Sequence, residues 1–163
     1  MDYFKITTLI NAITNIALGL FVYLKDTRKL VNKIFGLMSL SIAFWSYSWW
    51  MNLLSKDKIT GLFWTRSLNI GVIFIPIFYL YFIFAWLDIQ KQKRKIVVFG
   101  YIASFIFLIF GFTPLYMRDA PPNLSFKYCA QPGPVHPFIL ALFLGLVIYA
   151  RYSMVGAAAE IAK

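Results

Sequence analysis

Long apolar stretches, separated by short polar ones, set out this chain from end to end. A membrane helix needs about 20 apolar residues to cross about 30 Å of hydrocarbon. Five stretches meet that requirement: residues 6–24, 34–54, 67–87, 96–117 and 135–153. The pattern predicts an all-α fold, a polytopic transmembrane helix bundle of five membrane-spanning helices, forming a single domain over 1–163. No internal repeat interrupts it, and no stretch is long enough for a separate soluble domain.

The polar breaks orient the bundle. The first carries Lys25, Arg28, Lys29 and Lys33, and the third carries Lys91, Lys93, Arg94 and Lys95. The second has only Lys56 and Lys58, and the fourth only Arg118 and Lys127. Basic loops stay on the cytoplasmic side, so the N-terminus is expected outside. The first stretch has its basic cluster behind it and no A-x-A-like site, the wrong polarity for a secretory signal. Trp49, Trp50 and Trp64 gather around the second break and Trp86 lies at the inner end of the third stretch, the depths that indole prefers.

Within lipid, helices associate through small and polar residues. Gly36, Ser39, Ala43 and Ser46 form such a stripe on the second helix. Gly100, Ser104 and Gly111 serve the fourth, and Ala141 and Gly145 the fifth. On the first helix, Thr7, Asn11, Asn15 and Gly19 follow a four-residue spacing. Asn11 and Asn15 are expected to turn into the bundle, either as interhelical glue or as the lining of a ligand cavity.

The third helix opens with Trp64, Arg66 and Asn69. Arg66 either snorkels to headgroups or turns inward to Asn69, Asn52 or a bound anion. Pro76 removes a backbone donor and kinks the helix, which suits a hinge or packing alone. The fourth break, 118–134, holds Pro121, Pro122 and Pro132 and reads as a stiffened outer lid on the bundle. Its Cys129 and the nearby His136 lack the further ligands or orienting group that metal or nucleophile chemistry requires.

Composition fits lipid as the solvent. Hydrophobic residues make up 61% and charged ones 13%, against about 45–50% and about 25% in soluble domains. The net charge of +10 is absorbed by topology and by anionic lipid. No recognition motif accompanies it, so nucleic acid is not expected as a partner. One Cys and one His exclude an internal disulfide and a bis-His haem site. No catalytic residue, metal site or cofactor is expected. The partners expected are the bilayer, a lipophilic or small-molecule ligand, and a second copy of the chain.

Residues 63–85 read FWTRSLNIGVIFIPIFYLYFIFA. This stretch resembles the third helix of the N-terminal seven-helix sensor region of bacterial and archaeal membrane histidine kinases. An aromatic-Trp-x-Arg start, a Gly in the upper third, an apolar-Pro step and an aromatic-rich descent fall on Trp64, Arg66, Gly71, Pro76 and 78–84. Residues 18–22, then Val31, Asn32, Lys33, Ile34 and Phe35, are similar to the first helix and the Asn-x-x-Phe start of the second. Trp45 lies where that second helix usually carries a Trp. Residues 131–137, QPGPVHP, resemble the Gly-Pro turn into helix five, with His136 where Tyr is frequent.

The resemblance implies a signal-sensing input module in the plasma membrane, crossing it several times, with Asn11, Asn15, Trp64, Arg66, Asn69 and Pro76 as ligand-binding or signalling candidates. It also implies seven helices and a cytoplasmic output region, where this sequence offers five helices and an Ala-rich end, GAAAEIAK. The expectation is a truncated bundle with no kinase activity of its own, since neither a phosphoacceptor helix nor an ATP lid is present. The outer loops are short, so any signal must be read within the helices, at their outer mouth or from the bilayer. The competing classes are a small transporter or channel subunit and a membrane scaffold. Against transport, no acidic residue lies inside a span, Asp88 being at the edge, and no inverted repeat appears.

Overall fold

A computed structural model describes residues 2–122 and 126–161. The helices are α1 (Asp2–Lys25), α2 (Leu30–Leu54), α3 (Lys58–Trp86), α4 (Arg94–Gly111) and α5 (His136–Ile161). Between α4 and α5, β1 (Met117–Asp119) pairs antiparallel with β2 (Gln131–Pro132). The expected lid at 118–134 includes 123–125, and the Ala-rich end includes 162–163; both pieces lie outside the described residues.

The fold is the expected all-α bundle, but α1 and α2 each start four residues earlier than expected, α5 runs eight residues further, and the start of α3 and the end of α4 are displaced as well. Helix α3 begins at Lys58 rather than at 67 because Asp57 caps it, its carboxylate accepting from the Thr60 amide at 2.8 Å. Such a cap satisfies an otherwise orphaned donor, so the helix extends through Trp64 and Arg66 into the polar zone. Helix α4 ends at Gly111 rather than at 117, since Pro114 disfavours helical backbone at Thr113. At the other end of α3, Asp88 takes a left-handed φ of 55°, which Asp tolerates better than most residues.

Four helices, α1, α3, α4 and α5, are long and apolar enough to cross a membrane. Helix α2 has the length, but Ser, Trp and Tyr dilute its apolar run. Its polar side chains have protein on both sides, because α2 packs chiefly on α1 and α3. Ser39, Ser46, Ser48 and Asn52 are all buried.

Helix α3 is the hub: α2, α4 and α5 each pack against it, while α1 packs on α2. Ile77, Leu80, Ile83 and Phe84 of α3 form a core with Val97 of α4 and with Leu146 and Ala150 of α5. Small residues set the crossings. A Cβ on Gly71 would sit 2.6 Å from the Ser41 carbonyl oxygen, and one on Gly19 would sit 2.8 Å from the Ser39 Cβ. Gly100 lies against Ile77, and Ser104 donates to the Ile73 carbonyl at 3.4 Å. The small residues of α5 behave otherwise. Ala141 and Gly145 are exposed, and nothing lies within 4 Å of a Cβ built on Gly145. Ile139, Leu146 and Ala150 make the buried face of α5 instead.

Candidate functional site at the loop-bearing end

The start of α1, the α2–α3 turn and the α4–α5 connection share one end of the bundle, as the Phe4–Phe126 ring contact and the Lys58–Asp119 ion pair show. A cavity of 180 Å³ lies there. Its helical wall is Trp49 and Asn52 of α2 with Thr65 and Leu68 of α3; its cover is Phe126, Tyr128 and Cys129 of the connection.

A buried polar clamp shapes the wall. Asn52 Nδ2 donates to the Gly61 carbonyl and to Thr65 Oγ1, both at 2.9 Å, while Thr65 Oγ1 donates to the Gly61 carbonyl at 2.9 Å. In a dry environment these bonds replace water that the groups would otherwise lack. With both Nδ2 hydrogens used, Oδ1 is the acceptor that Asn52 has left to offer.

Several bonds fasten the cover. Lys58 Nζ and Asp119 Oδ2 are 2.8 Å apart. Lys127 Nζ donates to the Lys56 carbonyl at 2.6 Å, and the Tyr128 hydroxyl donates to the same oxygen at 3.1 Å. Gly61 lets Tyr128 sit on the helix, for a Cβ there would lie 2.5 Å from the ring. The Lys58 ammonium and the Ala120 amide hold the Asp119 carboxyl below its usual range. The Thr60 amide does the same for Asp57. Burial pushes the Tyr116 phenol up to about 12.

The sequence-derived candidates divide between two places. Arg66 and Asn69 stand on α3 near this cavity, yet they do not bond each other. Arg66 bonds neither Asn69 nor Asn52: its Nη2 donates to the Met117 carbonyl of β1 at 3.1 Å, and its Nε is buried without a partner among the described residues. Asn69 is buried and donates back to the Thr65 carbonyl at 2.9 Å. Trp64 packs edge-on against Tyr47, away from the cavity lining. Pro76 is buried in mid-helix, below the site.

Asn11 and Asn15 lie apart from these residues. Asn11 Nδ2 donates across to Ser46 Oγ at 2.6 Å. Asn15 turns back to Asn11 instead of crossing to α2, and it lines a separate groove between α1 and α2.

Trp49, Thr65 and Tyr128 were not among the candidates. A four-residue spacing of Gly61 and Thr65 at the start of α3 was the available signal for the clamp; nothing local announces Tyr128. Cys129 lines the cavity, whereas His136 stacks on Tyr116 at 5.5 Å between centroids. Among the described residues no group of His, Cys, Asp or Glu is arranged to hold a metal ion. The arrangement is suited to binding: aromatic walls, one amide acceptor and a hydroxyl, in a volume below the about 300–1,000 Å³ of drug-sized pockets.

A family model described as the N-terminal 7TM region of histidine kinase matches residues 7–161. No curated protein and no solved structure matches the chain.

Proposed function

Because the chain belongs to the family of N-terminal 7TM regions of histidine kinases, we propose that it is the signal-sensing input module of such a kinase, spanning the plasma membrane several times. The family match over nearly the whole chain carries this reading. The cavity between the α2–α3 clamp and the α4–α5 connection is where a small uncharged molecule with an apolar body would be read. Such a ligand shifts the bundle only through different affinities for two packings. Helix α3 is the element that would report it, since it walls the cavity above and holds α4 and α5 below. Pro76 lies between the two regions, and a missing backbone bond makes that segment the softest place for a bend.

The test uses the chain in proteoliposomes, with nitroxide labels at the exposed positions Arg118 and Arg151. Small apolar and amphipathic molecules are screened for raised thermal stability. A compound that binds should change the label-to-label distance, and Asn52→Ala should weaken it by about tenfold, as expected for a lost buried hydrogen bond. Pro76→Ala should keep binding and reduce the distance change. A bound compound that leaves the distance unchanged in the wild type overturns the reading. So does solute flux through the vesicles, which would establish the transporter class instead.

A further inference from the structure

The groove between α1 and α2 has the chemistry of a lipid site rather than of the signal cavity. It encloses 470 Å³ and lies along the helices from Asn15 to Tyr23 on one wall and from Lys33 to Leu40 on the other. At 1.5 Å per residue each wall is about 10–12 Å long, which fits inside one leaflet of about 15 Å. Gly19 and Gly36 give it depth, because neither wall has a side chain at the crossing. Ile16, Leu20, Leu37 and Leu40 make the remaining surface apolar.

One end of this apolar groove is cationic. Lys33 lies in its lining and makes no ion pair among the described residues. Its neighbour Asp26 is engaged elsewhere, paired with Lys29 at 3.7 Å and accepting from the Arg28 amide. Lys25, Arg28 and Lys29 belong to the same end of the helix pair without lining the groove, and the leaflet facing a basic loop is the one that carries anionic headgroups. An apolar slot of leaflet length with an unpaired ammonium at its headgroup end matches one kind of molecule.

We infer that the α1–α2 groove binds an anionic phospholipid, one acyl chain lying over the Gly19–Gly36 contact that floors the groove and the phosphate at Lys33. The inference stands independently of the cavity at the loop-bearing end. The lipid is not the signal in this assignment; it fills and cements the α1–α2 seam.

The experiment reconstitutes the full chain in mixed phosphatidylglycerol and phosphatidylcholine vesicles, each lipid in turn carrying a photoactivatable acyl chain, and maps crosslinks by mass spectrometry. Crosslinks are expected at Leu20, Leu37 and Leu40, with phosphatidylglycerol favoured by about fivefold, the preference that one interfacial ammonium provides. Lys33→Gln should bring the two lipids to parity at these positions. Lys91→Gln, in the other basic loop, should leave the preference intact. Gly36→Leu fills the groove and should abolish the phosphatidylglycerol preference at these positions, where exposed leucines still meet bulk lipid; a Cβ there meets only ordinary contacts at 3.6 Å. Leu40→Trp fills the rim as an independent check. Equal labelling by both lipids in the wild type overturns the inference. A loss of preference in Lys91→Gln as large as in Lys33→Gln does so too, because it would show diffuse surface charge in place of a site.

Discussion

Asp119 holds the cover of the cavity at the loop-bearing end through Lys58, and its titration has a definite sign. Its carboxyl is depressed in the folded protein, chiefly by the Lys58 ammonium and then by the Ala120 amide. A depressed carboxyl stabilises the fold above its ordinary value of 3.8 and loses that contribution as pH falls through the lower folded value. An environment-sensitive fluorophore on Cys129 should therefore give one steady emission from pH 8 to pH 5 and shift to the red only once pH has fallen below 3.8. Asp119→Asn should show the shifted emission already at pH 7. At this scale the sequence was half legible. That Asn11, Arg66 and Asn69 needed partners followed from their place in apolar stretches. The partners did not follow: Ser46 and the Met117 carbonyl are far away in the chain, and a back-bond such as Asn69 to Thr65 satisfies an amide without any neighbouring helix.

Helix α3 shows how far hydropathy reads an element and where it stops. Its apolar centre was visible in the sequence, and so was Pro76. The two turns before residue 67 were not, because capping by Asp57 rather than apolarity makes them helical. Small residues need the same distinction. Gly71 and Gly145 look alike in a membrane helix, but a Cβ on the first would meet the Ser41 carbonyl at 2.6 Å, and one on the second would meet nothing. Gly71→Leu should force α2 and α3 apart and lower stability by about 1–3 kcal/mol, the usual penalty of overpacking. Gly145→Leu should change it by less than about 0.5 kcal/mol. Reversible unfolding in mixed micelles compares the two; similar losses would refute the α2–α3 crossing at Gly71.

At the scale of the molecule, the apolar content matches four helices long and apolar enough to cross a membrane, and the packing order did not appear in advance. Alternating basic and non-basic loops give the same division of ends that the structure has, with the cavity at the less basic end. Which helix is central cannot be read from hydropathy, since the buried α3 is as apolar as α1, α4 and α5, which leave most of their surface exposed. The polar load of α2 is a trace of its position between α1 and α3. Leu80→Ala in the hub should destabilise the bundle by about 2–5 kcal/mol and speed amide exchange in α4 and α5 together. Leu146→Ala should speed exchange in α5 and spare α4. Equal effects from both variants would show α4 and α5 to be one cooperative unit.

That same placement of α3 has a consequence for the logic of the molecule. Among its main helix packings, α3 is the articulation point: it alone packs extensively on both the α1–α2 pair and the α4 and α5 helices, which meet each other only at their margins. A ring of helices offers two routes between any pair, so a perturbation divides and partly cancels. A branched network offers one through the helices, and here the α4–α5 connection, touched by Phe4 and fastened to the Lys56 carbonyl, is the other. Whatever reaches α5 from α1 or α2 is written into the tilt, rotation or bend of α3 or into the seating of that connection.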